Sequence, residues 1–253
     1  VEELAAWLRG RGVRAVAVSP IGHKLPRGLD MLIVMGGDGT LLGGARAAAA
    51  EGVPVIGIDF GGLGFLSEIK YRDAKSALAK VFAGDCRIEE RMMLEASVDC
   101  DNACPRSAIP AVNDVVITKS TARMLKLKAF INDEYFTEFS GDGLIISSAT
   151  GSTAYSLSAG GPIVRPELDV ILLTSICPHT LFERSLVTGG GDVVRVELPP
   201  NRADLIMMVD GQEEHPLKPC CAVTVRRAPN PARFIRVKPS RFLDTVREKF
   251  HLT

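Results

Sequence analysis

Two kinds of hydrophobic pattern alternate along residues 1–90. Apolar residues three and four positions apart predict amphipathic helices, and short continuous apolar runs predict buried strands. The pattern predicts helices over 2–10, 40–50 and 73–83 and strands over 13–18, 30–35 and 53–58. Because strands that alternate with helices indicate a parallel sheet with helices on its faces, we predict a Rossmann-like α/β domain over residues 1–90. Such a sheet more often begins with a strand, and we expect one to precede Val1.

From residue 91 the pattern changes to short β-rich runs. They lie at 92–98, 112–118, 125–131, 144–147, 170–176, 193–198 and 205–209. Asn132-Asp133 and Asp210-Gly211 are turn signals that fit β-hairpins. We therefore predict a β-rich, sandwich-like and mostly antiparallel domain over residues 91–237. Ser240 suits the N-cap of a last helix over 241–250, and we expect residues 240–250 to pack back onto the first domain.

Composition and charge narrow the function classes. The 253 residues carry 30 basic and 30 acidic side chains, so no basic face is expected for a nucleic acid or an anionic membrane. No apolar run approaches the roughly 20 residues of a membrane-spanning helix, and we expect a cytoplasmic protein. The six cysteines contain no CxxC pair. We therefore expect free thiols, with neither a disulfide framework nor a zinc site.

A glycine-rich loop follows the predicted strand at 30–35. Gly36-Gly37-Asp38-Gly39-Thr40 leads directly into a predicted helix, and backbone N–H groups at such a helix start bind phosphate. A carboxylate inside a phosphate loop needs a bridging metal ion or a chemical role, such as accepting a proton from an attacking hydroxyl. The simpler alternative is that Asp38 caps the helix. The chain has no GxxxxGK[ST] motif, which excludes a P-loop mechanism.

A hydroxyl-rich segment forms the second candidate. Residues 148–162 read SATGSTAYSLSAGGP, and Ser152 could cap a short helix that Gly160-Gly161 ends. Neutral hydroxyls and free amides at a helix start suit a nucleobase, a ribose or a phosphate oxygen. An ordinary turn with a helix start remains the alternative for this segment on its own.

The loop at 36–40 and the segment at 150–162 together resemble the bacterial form of the NAD kinase family. Shorter matches lie at residues 63–66, 113–116, 141–143, 178–181 and 210–212. The resemblance covers residues 30–212. It implies an enzyme that phosphorylates the 2′-hydroxyl of the adenosine ribose of NAD, giving NADP. It also implies ATP, or another donor such as polyphosphate, together with Mg²⁺ and a homo-oligomeric assembly, a dimer or a tetramer.

The resemblance assigns roles residue by residue. It implies that Asp38 is the catalytic base, and that Phe65 flanks the adenosine. The other implied binding residues are Gly36, Gly37, Gly39 and Thr40 at the phosphate loop, and Asn113, Asp114, Asp142, Thr150, Thr153, Ala154, Tyr155, Ser158 and Gln212 around the dinucleotide. Tyr155 is a residue that a neighbouring subunit could lend. On the residues alone, Asp114 and Asp142 remain alternative bases, and no metal ligand is assigned.

Two other functions stay open. A lipid kinase of the diacylglycerol kinase type would explain the GGDGT loop but not the hydroxyl-rich segment. A dinucleotide-binding regulator without turnover would fit the departures from the family pattern at Asp59, Ala149 and Ser185, and Gly62 is a further departure. The family usually has Asn where this chain has Asp59, which adds a carboxylate near the site. His179 is expected to be a structural hydrogen-bond partner rather than a catalytic group.

Overall fold

The chain folds into two compact units. The computed structural model describes residues 1–18, 25–62, 64–100, 108–121, 123–179, 184–200, 204–239 and 242–251. The first unit contains Val1–Glu90 and Ala232–Thr253, and the second contains Arg91–Pro231. Among the helices in these ranges, none is long and apolar enough to cross a membrane.

The first unit is an α/β layer. Its elements before the second unit are α1 (Glu2–Arg9), β1 (Leu32–Met35), α2 (Asp38–Ala49), β2 (Val55–Asp59), β3 (Ile69–Lys70), a 3₁₀ turn (Tyr71–Asp73), α3 (Ala74–Phe82) and β4 (Arg87–Arg91). Strand β2 is buried along its whole length and pairs in parallel with β1 and β3. Helices α1 and α3 bury one apolar side each in a common cluster with β2, as their spacing predicts.

Residues 13–18 do not form the predicted strand. Val13 and Ala15 pack against the core of the first unit, whereas Val16 and Val18 are exposed and the segment joins no sheet. Alternating apolar residues favour a strand only where a neighbouring strand supplies hydrogen bonds and a packed face. That prediction was therefore wrong, because the pattern reports side-chain burial but not the presence of a partner strand.

The second unit is a sandwich of two antiparallel sheets. Its strands are β5 (Leu94–Cys100), β6 (Ile109–Ala111), β7 (Asp114–Lys119), β8 (Leu125–Ile131), β9 (Glu134–Gly141), β10 (Gly143–Ser148), β11 (Val170–Ile176), β12 (Leu186–Gly189), β13 (Val194–Glu197), β14 (Leu205–Val209), β15 (Glu213–Leu217) and β16 (Cys221–Arg227). One sheet has the order β12-β11-β10-β7-β14-β15, and the other has the order β6-β5-β16-β13-β8-β9. Alternate residues of both sheets form one hydrophobic core.

The outer face of the first of these sheets carries the hydroxyl-rich segment. This segment forms a 3₁₀ turn (Thr150–Thr153) and a one-turn helix α4 (Tyr155–Ser158). Val116, Ile145 and Ile176 form a separate small cluster on that face, and Ala159 packs against it. Strand β10 is consequently buried on both faces, which explains its continuous run of apolar and small residues.

The chain then returns to the first unit. Strand β17 (Ala232–Arg236) lies between β2 and β4, and helix α5 (Phe242–Phe250) follows it. Residues 232–237 were predicted as the end of the β-rich domain, and the structure corrects this boundary. A β-rich run shows that a segment pairs, but it does not show with which sheet. Ser240, the predicted cap of the last helix, lies outside the described residues.

Two hairpin turns have the backbone that their sequences predict. Asn132 and Asp133 have φ values of 52° and 64°, and Asp210 and Gly211 have φ values of 50° and 63°. Consecutive positive φ angles are typical of the type I′ turn, whose twist matches that of the flanking strands. The second of these turns joins β14 to β15 and reappears below as part of the candidate site.

The expectation that all cysteines are free thiols was wrong. Cys100 of β5 and Cys221 of β16 are directly opposite each other in the antiparallel ladder and form a disulfide. Cys86, Cys177 and Cys220 are free, and Cys104 lies outside the described residues. The two bonded cysteines are 121 positions apart, so the sequence contained no local signal for the pairing.

Candidate functional site

The glycine-rich loop connects β1 to α2. Gly36 has a φ of +154°, and a Cβ atom there would lie 2.7 Å from the Thr40 hydroxyl oxygen, so a side chain would not fit. The Gly36 N–H donates to the Ile58 carbonyl of β2 at 2.9 Å. Gly37 is the N-cap of α2 and, as a glycine, has no side chain with which to cap it. The N-terminus of a helix is the end that favours an anion.

Asp38, the first residue of α2, does not cap its own helix. Its carboxylate accepts hydrogen bonds from three successive N–H groups of a loop that follows β2, those of Phe65 at 2.8 Å, Leu66 at 3.3 Å and Ser67 at 3.2 Å. A Cβ atom on Gly64 would lie 2.1 Å from the Asp38 carboxylate. The capping interpretation was therefore wrong, and residues 64–67 are arranged to receive this carboxylate.

A second carboxylate lies beside Asp38. The Ser67 hydroxyl is 3.3 Å from Asp38 Oδ1 and 3.3 Å from Asp59 Oδ2. Asp59 is buried, and its other oxygen accepts the Gly61 N–H at 2.6 Å. Because a hydroxyl has only one proton, Ser67 can donate to one of the two carboxylates at a time. The carboxylate expected near the site from the departure at Asp59 is thus present.

The loop that holds Asp38 is anchored from its other side by β17. The buried Arg236 guanidinium donates to the Leu66 carbonyl at 2.6 Å and to Glu89 at 3.1 Å. The Phe65 ring contacts the rings of Phe242 and Phe250 of α5, with centroids 6.4 and 6.2 Å apart. Phe65 is half-buried in this aromatic group, so one part of its ring remains available to a ligand.

In the second unit, the Asn113-Asp114 pair begins β7 and is held by a single buried carboxylate. Asp210 accepts the N–H groups of Val112 at 3.0 Å, Asn113 at 2.7 Å and Asp114 at 3.1 Å. The Asp210 N–H in turn donates to the Asp114 carbonyl at 3.0 Å. From the opposite side, the Ser148 hydroxyl donates to the Val112 carbonyl at 2.6 Å. The backbone of residues 112–114 is fixed on both sides.

Asp114 has a strongly perturbed acidity. Burial of the carboxyl, with the negative charge of Asp210 as a smaller cause, raises the pKa of Asp114 to about 7. Both effects disfavour the ionised form. At neutral pH this side chain is therefore present both as a hydrogen-bond donor and as a carboxylate.

Three serines of the hydroxyl-rich segment, Ser148, Ser152 and Ser156, turn inward. Ser152 exchanges two hydrogen bonds of 3.1 Å with the backbone of Val164, and Ser156 bonds to the Thr174 hydroxyl at 3.0 Å. Ser152 is therefore not the predicted helix cap, since its oxygen ties the segment to the residues beyond Gly161 instead. The spacing of four residues that Ser148, Ser152 and Ser156 share marks the buried side of this segment.

The opposite side of the segment carries the predicted binding residues. The Thr150 hydroxyl is buried and has no hydrogen-bond partner among the described residues. The next residue, Gly151, lies so close to Asn113 that a Cβ atom would be 2.2 Å from its carbonyl oxygen. Tyr155 and Ser158 are exposed, three residues apart on one side of α4. Thr153 ends the 3₁₀ turn, Ala154 lies between it and α4, and both residues are partly exposed.

The predicted residues thus form groups in two units. Gly36, Gly37, Asp38, Gly39, Thr40 and Phe65 belong to the first unit, whereas Asn113, Asp114, Thr150, Thr153, Ala154, Tyr155, Ser158 and Gln212 belong to the second. Gln212 ends the Asp210-Gly211 turn, where its N–H donates to the Val209 carbonyl at 2.9 Å. In the second unit, Asn113 and Asp114 contact this turn through Asp210, and Gly151, the neighbour of Thr150, lies against Asn113.

Asp142 is separated from this group. Asp142 directly precedes β10, whereas Ser148 is the last residue of this strand and Thr150 follows it. With a rise of about 3.3 Å per residue along the strand, Asp142 and Ser148 are about 20 Å apart. Lys119 Nζ lies 2.7 Å from Asp142 and, through this hydrogen bond, lowers the pKa of the carboxyl. The nearby His179 donates its backbone N–H to the Ser140 carbonyl at 2.9 Å, and the role of its side chain stays a prediction.

Three residues of the site had no assigned role in the sequence prediction. Gly64, Ser67 and Asp210 each lie inside or next to a recognised motif, but their partners are distant in the sequence. Asp210 contacts residues 96 to 98 positions away, and Ser67 contacts Asp38 across 29 positions. The only sequence signal was their place beside a motif, since local spacing carries no information on such contacts.

Two segments of the chain match domains of a known protein family. Residues 18–86 match the ATP-NAD kinase N-terminal domain and residues 112–237 match the ATP-NAD kinase C-terminal domain. The NAD kinase of Heliobacterium modesticaldum is 48% identical over 258 residues, covering 97% of this chain and 91% of that protein. The NAD kinase of Moorella thermoacetica is 48% identical over 221 residues, covering 86% of this chain and 70% of that protein.

Solved structures show the same fold. The yeast NADH kinase in complex with NADH superposes with a TM-score of 0.83 at 28% identity, covering 89% of this chain and 67% of that chain. An NAD kinase from Archaeoglobus fulgidus in complex with ATP has a TM-score of 0.78 at 22% identity, covering 99% of this chain and 92% of that chain. With two domain matches and relatives of this identity over most of its length, the chain belongs to the NAD kinase family of phosphotransferases.

Proposed function

We propose that this chain transfers the γ-phosphoryl group of ATP to the 2′-hydroxyl of the adenosine ribose of NAD, with Mg²⁺, to form NADP. The observation that carries the proposal is the Asp38 carboxylate, which lies at the N-terminus of α2 directly after the glycines of the loop and is held by the N–H groups of residues 65–67. The family match, whose name includes ATP, and the likeness to a yeast kinase bound to NADH support the choice of substrates.

Asp38 would act as the general base. A ribose hydroxyl is a weak nucleophile at neutral pH, and a positioned carboxylate that accepts its proton contributes about 10²-fold to 10⁴-fold to the rate. The N–H groups of the 65–67 loop hold the carboxylate in one orientation. The Ser67 hydroxyl is the donor that can turn away, because Asp59 lies at the same distance of 3.3 Å. This rotation would remove one of the three donors from Asp38 Oδ1, which keeps the Leu66 and Ser67 N–H groups, and would make room for the proton of the substrate.

The dinucleotide would be bound largely by uncharged groups. The unpartnered Thr150 hydroxyl and the fixed Asn113-Asp114 pair supply donors and acceptors without adding a basic side chain. At neutral pH the raised pKa of Asp114 leaves part of this side chain uncharged. Such a surface suits a ribose or an adenine better than a phosphate.

Magnesium would enter with the nucleotide. Mg²⁺ prefers hard oxygen ligands, keeps several water molecules and is commonly held by substrate phosphates with one or two carboxylates. Asp38 and Asp59 supply carboxylate oxygens beside the loop, but both groups already accept hydrogen bonds from protein N–H groups. These residues therefore fit an ion that phosphate oxygens and water ligate, with the carboxylates reached through water.

We further propose a homo-oligomer, a dimer or a tetramer. Asp142 lies at the opposite end of β10 from Thr150, so one chain does not bring both residues to the same dinucleotide. A second copy could supply Asp142, and the exposed Tyr155 is accessible to the same neighbour. Light scattering combined with mixing of Asp142→Ala and Asp38→Asn protomers tests this. Recovery of activity in the mixture is expected, and a monomeric active protein would contradict the assembly.

The decisive experiment measures NADP formation from NAD, ATP and Mg²⁺ by the purified protein. Asp38→Asn is expected to lower turnover by about 10²-fold or more while leaving NAD binding, measured by calorimetry, largely unchanged. Asp85→Asn serves as the matched control, since Asp85 is an exposed aspartate of the same unit. NAD binding without NADP formation would favour the regulator, and phosphorylation of diacylglycerol instead of NAD would favour the lipid kinase.

A further inference from the structure

The Asp210 carboxylate holds the backbone of the segment that carries Asn113 and Asp114. It is buried, it lies in a turn at a positive φ of 50°, and its carboxylate accepts three consecutive backbone N–H groups. Two of these N–H groups belong to Asn113 and Asp114. A turn residue that only stabilised its own hairpin would bond within the hairpin, whereas Asp210 bonds across to β7.

We propose that Asp210 is a positioning residue for substrate recognition: its carboxylate fixes the backbone of Val112, Asn113 and Asp114 and thereby sets how Asn113 and Asp114 meet the dinucleotide. The inference rests on the proposed NAD kinase activity. Asp210 touches no reacting atom in this scheme, and it acts through the two residues that it holds.

The surroundings of Asp114 show what else Asp210 does. Asp114 lies opposite Ser147 of β10 on one side and beside Val209 and Asp210 of the β14 hairpin on the other. Among the charged groups that the structure describes, the Asp210 carboxylate is the one whose charge raises the pKa of Asp114, in addition to burial. The two acids are therefore coupled by charge as well as by geometry.

This coupling gives a readout that a purely structural role would not change. The pyrophosphate of NAD remains ionised between pH 5 and 9, so a midpoint in the pH dependence of NAD binding in this range would report the protein. Replacing Asp210 by Asn removes its charge but keeps its size. Because burial, the larger cause, remains, the midpoint should fall but should not return to that of a free carboxyl.

The experiment compares wild-type protein with Asp210→Asn, Asp210→Glu and Asp192→Asn, using steady-state NADP formation and the dissociation constant of NAD from pH 5 to 9. In Asp210→Asn the KM for NAD should rise about 10-fold to 100-fold, kcat should stay within a few-fold, and the midpoint should fall. Asp210→Glu keeps the charge but displaces it, so the KM should rise while the midpoint stays near that of the wild type. Asp192 also accepts three hydrogen bonds, but from Thr188, Gly189 and Asn132 in another loop, so Asp192→Asn should leave both quantities unchanged.

Each result decides between the possibilities. A folded Asp210→Asn protein with an unchanged KM would overturn the proposal. A raised KM with an unchanged midpoint would assign Asp210 a structural role only, and a wild-type profile without a midpoint between pH 5 and 9 would contradict the coupling. If Asp210→Asn does not fold, the KM of Asp210→Glu decides the matter, and a wild-type value would overturn the inference. Absence of NADP formation by the wild-type protein would instead refute the proposed function.

Discussion

Replacing Asp114 by Asn should change how the stability of the protein depends on pH. The pKa of Asp114 is raised from 3.8 to about 7 in the folded state. The folded protein therefore binds a proton at Asp114 more tightly than the unfolded chain does. Its contribution to stability is fully present below the unfolded pKa and is lost as pH rises through the folded pKa. The isosteric Asn carries no charge at any pH and removes this loss.

The size of the effect follows from the two pKa values. Each unit of difference corresponds to about 1.4 kcal/mol, so the full shift from 3.8 to about 7 corresponds to about 4 kcal/mol. Between pH 5 and 8.5 only the part up to pH 7 is lost, which is about 3 kcal/mol. We therefore expect the free energy of unfolding of Asp114→Asn, relative to the wild type, to rise by about 3 kcal/mol over this interval.

Urea unfolding followed by far-ultraviolet circular dichroism at pH 5, 6, 7 and 8.5 measures this difference. Subtracting the free energy of unfolding of the wild type from that of the variant at each pH removes the contributions of histidines and of other groups that titrate in the same range. Asp192→Asn is the control, because hydrogen bonds from Thr188 and Asn132 lower the pKa of Asp192. The contribution of Asp192 is therefore lost only as pH falls below about 4, outside this interval. A constant difference between wild type and Asp114→Asn would refute the assigned burial and charge coupling.

Three further predictions concern single contacts. Gly64→Ala should lower NADP formation by about 10²-fold, because its Cβ atom would lie 2.1 Å from the Asp38 carboxylate. Gly62→Ala, whose Cβ atom would have no atom within 4 Å, should be as active as wild type. Equal activities of the two variants would contradict the loop geometry. Cys100→Ser should lower the free energy of unfolding by about 4 kcal/mol under oxidising conditions and by nothing in excess reductant, as measured by urea unfolding; an oxidised wild type no more stable than the variant would argue against the disulfide. Thr150→Val should weaken NAD binding about 10-fold without loss of stability, because this hydroxyl has no hydrogen-bond partner among the described residues. Ser156→Ala should lower the stability and leave NAD binding unchanged, because the Ser156 hydroxyl bonds to Thr174. Calorimetry and thermal melts separate these two outcomes, and unchanged NAD affinity in Thr150→Val would remove this hydroxyl from the binding surface.

Local patterns predicted the elements that depend on local physics. The spacing of Leu4 and Leu8 predicted α1, and the continuous apolar run at 53–58 predicted the fully buried β2. Asp210-Gly211 predicted its turn because only a few residue types tolerate two positive φ angles in succession. In the same way, the glycines before Asp38 predicted a loop that leads directly into a helix.

The parts that escaped prediction depend on contacts between distant residues. Ser152 had the right neighbours for a helix cap, but a better acceptor and donor at Val164 competed for its hydroxyl. Residues 13–18 had a strand-like pattern without a partner strand. Only the complete fold brings together the segments joined by the disulfide and by the hydrogen bonds from residues 65–67 to Asp38. The same is true of the pairing of β17 with β2 in the first sheet. The sequence motifs could therefore identify the residue types of the candidate site. They could not show that Asp38 binds the loop at 65–67 or that Asp210 binds residues 112–114.

The return of β17 and α5 to the first unit has a consequence for the order of folding during synthesis. The β-rich unit is a continuous stretch, Arg91–Pro231, whereas the first unit needs residues from both sides of it. Chains emerge from the ribosome at about 5–20 residues per second, and domains fold as they become complete. The sandwich can thus close first, while the loop that grips Asp38 waits for Arg236 and the aromatic rings of α5. The unit that contains Asp38 would be the last to become ordered, so a chain truncated shortly before residue 232 would contain the whole β-rich unit joined to an incomplete first unit.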